Sequence, residues 1–168
     1  LDQGGRLFLS SQDYLGQSPG GRTDFATQYL HVDGYFMDTS KPGVAGLPGD
    51  PIGDGLVFDP LDYPFSNLSD SVFPDSLAAR VMNVVPGIAA AAIRYPAEVD
   101  TASFRTVYFA FPFEAVPEGG EPPCTRATLM RCIIEWLVPE GGLVPTGVAD
   151  QPETAGAVGG PILLCSPN

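Results

Sequence analysis

The stretch that most constrains the fold of this chain runs from Phe104 to Val138: an apolar run, a Pro/Gly/Glu loop, then an amphipathic segment. In Phe104 to Phe111 nearly every position is aromatic or β-branched, and Val107, Tyr108, Phe109 and Phe111 leave no polar face. A strand of that kind must be covered on both sides, as a central strand of a parallel sheet is. Downstream, Leu129, Met130, Ile133, Ile134 and Leu137 recur at the three-and-four spacing that gathers side chains on one stripe of a helix. Thr125 is placed to cap its start, and Pro139 with Gly141 and Gly142 stops it. A buried strand followed by a covering helix is half of a doubly wound α/β layer.

With 168 residues, 44% of them hydrophobic, the chain can fill one sizeable core, which excludes wholesale disorder. Twenty Asp and Glu stand against eight Lys and Arg, a formal charge of −12, so nucleic acid and anionic membrane surfaces are repelled. Only Lys41 is a lysine, a depletion that points to an extracellular or cell-surface setting. No run of about 18 apolar residues is present to insert in a membrane. The opening, Leu1 to Gly5, reads as the last turn of a helix with glycine at its cap, so Leu1 is expected to lie inside a longer precursor.

Taken in order, Arg6 to Ser11 reads as a buried strand, and Gln12 to Gln17 as the turn at its carboxyl end, the edge where open α/β sheets hold ligands. Thr23 to His31 fits a helix and Val32 to Met37 a strand. Asp38 to Asp75 is a long Gly/Pro/Asp stretch with apolar islands at Leu56 to Phe58 and Ser71 to Phe73, the signature of a functional or disordered loop. Leu77 to Val85 fits either a helix turn or a strand. Ile88 to Tyr95 reads as a strand that Pro96 ends, and Thr101 to Ser103 turns the chain into the central strand as an adjacent hairpin. Residues 1–138 make the domain; 139–168 form a Gly/Pro-rich arm with a short terminal strand at Pro161 to Cys165.

In order, Gly4 to Asp13, Tyr29-Leu30-His31, Gly53 to Leu56, Ala92 to Tyr95, Val107 to Ala115, Arg126 to Met130 and Trp136-Leu137 resemble one family. It is the class I glutamine-amidotransferase-like, flavodoxin-like domain found as an accessory module in large secreted bacterial peptidases and surface proteins. The resemblance covers about Leu1 to Val138 and implies a three-layer α/β sandwich with a mostly parallel sheet, its N-terminal part missing here. True class I amidotransferases need a Cys on a strand-to-helix elbow and a His and Glu from a later strand end. Here the elbow offers Ser10-Ser11-Gln12-Asp13, and Phe111-Pro112-Phe113-Glu114 stands where His-Pro-Glu would be. Phe cannot accept a proton, so the scaffold is implied without the reaction: a pseudoenzyme, an accessory domain without catalysis of its own. The partners expected are the remainder of its precursor or copies of itself, with protein or glycan as further ligands.

The competing expectation is an extracellular hydrolase, with Ser11 as nucleophile, His31, the only imidazole, as base and Asp13 or Asp33 orienting it. The simpler reading of His31 is the end of a helix, where the dipole favours partial positive charge. Asp50, Asp54, Asp59, Asp62, Asp70 and Asp75 crowd the long loop, and a hard cation such as calcium would take oxygen ligands there, with Asp54, Asp59 and Asp62 the metal candidates; a solvated loop is the simpler reading. Tyr63, Phe65 and Phe73 would form a contact surface or anchor that loop. Asn67-Leu68-Ser69 fits the glycosylation acceptor pattern. Among Cys124, Cys132 and Cys165 one disulfide is expected, as in secreted chains; the alternative is three buried thiols. If both were helical, Cys124 and Cys132 would lie roughly 12 Å apart, too far to join. Either Cys124 is in the loop or the bridge reaches Cys165.

Overall fold

The structure is a computed structural model; it describes residues 1–16, 22–98 and 103–139, and the backbone of 163–165. Along the chain run β1 (Arg6–Ser10), α1 (Asp24–Gln28), β2 (Val32–Phe36), β3 (Gly43–Gly46), β4 (Val57–Phe58), β5 (Ser71–Pro74), β6 (Ala79–Val85), β7 (Ala90–Tyr95), β8 (Arg105–Phe109), α2 (Arg126–Leu137) and β9 (Leu163–Cys165). The sheet order is β4-β3-β6-β7-β8-β1-β9, with β5 branching from β7 and carrying β2.

This overturns the expected flavodoxin-like sandwich with its mostly parallel sheet. Only β8, β1 and β9 run parallel; every other pairing is antiparallel. The reason is connection length, since parallel neighbours need a crossover of a dozen or more residues. Between β6 and β7 the chain offers only Pro86 to Ala89, which turns it straight back. The long connection from β8 through α2 to β9 brings β9 back in the direction of β8, with β1 paired in parallel to each between them.

The central strand is as buried as its composition demands: all five residues of β8 are buried. Alternation then divides the core. Phe8, Val107 and Phe109 join a cluster with Leu129, Ile133, Trp136 and Leu137 of α2, together with Val44, Ile52, Phe58 and Met82 from the antiparallel half. Leu7, Leu9 and Tyr108 face the other way, onto Ala26 and Leu30 near α1, Val32 of β2 and Val72 of β5. Thr125 caps α2 by accepting from the Thr128 N–H, as its position in sequence predicts. The buried stripe of α2 is rotated from the expected one: Trp136 is inside and Ile134 is 44% exposed.

The Asp38 to Asp75 stretch is no open loop, for it contains β3, β4 and β5. Its glycines let backbones cross: a Cβ on Gly46 would lie 1.6 Å from the Gly53 carbonyl oxygen, and one on Gly53 would lie 2.3 Å from that of Val81. Asp50 pins the same crossing. Its Oδ1 accepts from the Ile52 and Gly53 N–H groups, and its Oδ2 accepts from Arg94 Nε at 2.8 Å. Arg94 also donates to the Pro96 and Ala97 carbonyls and lies over the Trp136 ring, whose other guanidinium neighbour is Arg105. One ion pair thus joins the glycine crossing, β7 and α2. Leaving one member of a buried pair uncompensated costs about 3–5 kcal/mol. Asp50→Ala and Arg94→Met are each expected to lower unfolding free energy by about that much in urea titration, whereas the exposed Arg131→Met changes it by under about 1 kcal/mol.

Candidate functional site

The segment leaving β2 crosses to β3 and carries Asp38, Thr39, Ser40 and Lys41. Asp38 and Ser40 hold left-handed backbone, with φ of 52° and 46°, a conformation uncommon outside glycine. It is held against residues 67–71 by a dense set of bonds. The Thr39 N–H and hydroxyl donate to the Ser69 carbonyl, the Thr39 and Ser71 hydroxyls share a bond of 2.9 Å, and the Asn67 amide donates to the Lys41 carbonyl. Asp70 in turn donates its N–H to the Ala110 carbonyl, just past the end of β8. Ser10, the last residue of β1, donates to the Phe111 carbonyl and accepts from the Phe113 N–H. The cluster therefore sits at the carboxyl end of the parallel pair.

At its centre the only lysine of the chain is fully buried, and Asp70 is 1% exposed. Lys41 Nζ donates to the Thr39 hydroxyl at 3.3 Å. Asp70 Oδ1 accepts from the Asp38 N–H at 3.1 Å, while its Oδ2 is buried without a hydrogen-bond partner among the described residues. The Tyr108 hydroxyl, from the opposite face of β8 to α2, is buried and unpartnered as well. Burial disfavours charge on both central groups. It pulls the Lys41 ammonium down to about 7 against the opposing pull of the Asp70 charge. It pushes the Asp70 carboxyl up to about 6, a rise that the Asp38 N–H and the Lys41 charge restrain. Burial, then the Asp70 charge, holds the Tyr108 proton on well above its ordinary range. Tyr63, which bonds Ser69 at 2.9 Å, is also raised by burial.

Such an arrangement of amine, carboxyl and hydroxyls has the makings of acid–base chemistry, but its amine and carboxyl are buried. Ser69 and Ser71 are buried with Lys41 and Asp70. The apolar recess beside α2, lined by Phe113, Arg126, Ala127 and Met130, lies elsewhere on the other cluster.

The residues singled out from the sequence are dispersed. Ser11 follows β1 and donates its N–H to the Phe109 carbonyl, at the carboxyl end of the pair. His31 stacks on Tyr95 with ring centroids 3.7 Å apart and faces Phe104, so it lies at the opposite end of β8. The intervening strand puts them roughly 13 Å apart. The acid on His31 is neither Asp13 nor Asp33 but Asp75, which accepts from Nδ1 at 2.8 Å. Asp33 instead meets Arg22 at 3.5 Å. His31 does not end a helix, because α1 stops at Gln28.

Within the acidic stretch, Asp50 belongs to Arg94, Asp70 to the Lys41 cluster and Asp75 to His31, whereas Asp54, Asp59 and Asp62 are exposed. Among the described residues no three His, Cys, Asp or Glu side chains are grouped to hold a metal ion. Asn67 is half-buried, its amide engaged with Lys41 and its oxygen accepting from the Ser69 N–H. Cys124 lies in the loop before α2, where its sulfur accepts from the Val57 N–H; it and Cys132 in α2 are free thiols. A bridge to the Cys165 side chain lies outside the described residues, as do most of the 139–168 arm and the Thr101-Ala102 turn.

No protein-family model, curated protein or solved structure matches this chain.

Lys41 and Tyr108 escaped the sequence reading, though each carried a signal: a solitary lysine in a chain of charge −12, and the one hydroxyl among the aromatic rings of the central strand. Their titration is testable in single variants. In Lys41→Met the remaining Asp70 holds its proton longer in the folded state than its ordinary 3.8, so the stability it adds is present below about pH 4 and lost as pH rises through 6 and beyond. In Asp70→Ala the remaining Lys41 loses its proton earlier than its ordinary 10.5, so stability falls as pH drops through 7 and climbs between 7 and 10.5. Urea midpoints measured from pH 4 to 10.5 are expected to slope in these opposite directions.

Proposed function

We propose that this chain is a non-catalytic structural or interaction domain of a larger secreted or cell-surface protein, working through contacts with the rest of its polypeptide or with further copies. The observation that carries this reading is the burial of the ionisable groups of the Lys41 cluster. The Lys41 amine and the Asp70 carboxyl are both buried among the bonds that join the β2 exit to the β5 entry and to the end of β8. The separation of Ser11 from His31 supports it further. The surface beside the cluster carries exposed apolar side chains next to the polar Asp38, Thr39 and Ser40: Phe36 and Met37 are 62% and 55% exposed, and Leu68 on the neighbouring segment is 41% exposed. Exposed apolar side chains are among the groups with which chains meet protein partners. The strongly acidic, nearly lysine-free composition supports an extracellular setting.

The alternative, a hydrolase, predicts turnover. Purified chain incubated with chromogenic esters, peptide amides and aryl glycosides is expected to give rates equal to those of Ser11→Ala and of His31→Ala. Hydrolysis that disappears in either variant while its circular dichroism is unchanged would overturn the proposal.

A further inference from the structure

The helix α2 carries apolar side chains on two faces. Leu129, Ile133, Trp136 and Leu137 turn inward and are buried. Ala127, Met130 and Ile134 recur at the three-and-four spacing of a second stripe, and it faces out: Ala127 and Ile134 are exposed and Met130 is half-buried. With Phe113 from the turn after β8, Ala127 and Met130 also line the recess beside the helix. A helix that is apolar on both sides is one that is covered on both sides.

We propose that the outer face of α2 docks a second copy of this chain, helix against antiparallel helix about a two-fold axis. This rests on the reading of the chain as a non-catalytic interaction domain and deepens it by naming the partner and the surface. Charge selects the occupant. Where Phe36 and Met37 are exposed, the exposed Asp38 stands next to them, so two copies meeting there would set carboxylate against carboxylate. The α2 face carries both signs instead. Beside the outer stripe, the Arg131 and Glu135 side chains are exposed and 3.5 Å apart. Two opposite charges one turn apart on a helix are complementary to their own two-fold copy, because the two-fold reverses the helix direction. In a pairing centred between them, Arg131 of each chain meets Glu135 of the other, while Met130 and Ile134 of the two stripes pack together. The twelve residues of α2 span about 18 Å, a face at the small end of specific interfaces. Association is therefore weak, on the order of 10–100 µM. At about 0.15 M salt, charges farther apart than roughly 8 Å are largely screened, so the contact charges outweigh the −12 of each copy.

Sedimentation equilibrium of the purified chain, from about 5 to about 500 µM in that salt, tests the proposal. The wild type is expected to pass from monomer to dimer across this range. Ile134→Glu should weaken the dimer at least about tenfold while leaving circular dichroism unchanged. Arg131→Glu and Glu135→Arg should each weaken it about three- to tenfold, and the double charge swap should restore it. Glu135→Arg discriminates most sharply, since it lowers the net charge and would strengthen any association governed by net charge alone. The inference is overturned by a chain that stays monomeric at the highest concentration or a dimer indifferent to Ile134→Glu. It is equally overturned by tighter association in Glu135→Arg or a double swap no better than the single ones. A monomer without turnover sinks this docking surface alone; hydrolysis that vanishes in Ser11→Ala or His31→Ala sinks the non-catalytic reading whatever the sedimentation shows.

Discussion

Hydrogen bonding between Arg6–Ser10 and Arg105–Phe109 joins residues almost a hundred positions apart, and the rest of the molecule is arranged around that parallel ladder. Both strands carry buried side chains on both faces, so neither can sit at a wet surface. Each face therefore needs its own cover. One side receives α2 and the β3–β4 region; the other receives α1 and the β2–β5 pair. Thr106 fastens the second cover by donating to the Tyr29 carbonyl, and Arg105 fastens the first by donating to the Trp136 carbonyl. Two neighbouring residues of one strand thus reach opposite layers, a direct consequence of the two-residue period of an extended chain.

Where polar groups lie inside this fold, they hold segments that lack regular structure. Asp50 and Arg94 organise the glycine crossing; His31 and Asp75 close the approach to β6; Lys41 and Asp70 bind the exit of β2 to the entry of β5. Only the first of these is a close pair with its remaining lone pairs occupied. The third is left with an orphaned carboxylate oxygen, and it lies beside the carboxyl end of the parallel strands. That contrast makes the Lys41 cluster chemically distinctive among the described residues.

Much of the local structure was legible from residue pattern. The β8 run, the helix capped by Thr125, and the strand at Arg6 each follow from period and capping chemistry that act within a few residues. The acidic stretch was misleading because its Asp and Gly content describes solvated loops on average, whereas here Gly46 and Gly53 are needed for close backbone passage and Asp50 for an internal ion pair. The rotation of the α2 stripe toward Trp136 depended on two arginines from other strands, which no helical period can reveal.

The sequence by itself determined that a doubly covered strand and an amphipathic helix must pack together, since those demands are set by side chains a few positions apart. Strand direction was decided only by the tertiary structure, because the lengths of connections and the neighbours they permit are properties of the whole chain. The same holds for the partners of ionisable groups. Ser11 and His31 are close in sequence yet sit at opposite ends of a strand, while Lys41, Asp70 and Tyr108 are scattered in sequence and gather in one dry pocket, where loss of water changes what an amine and an acid can do.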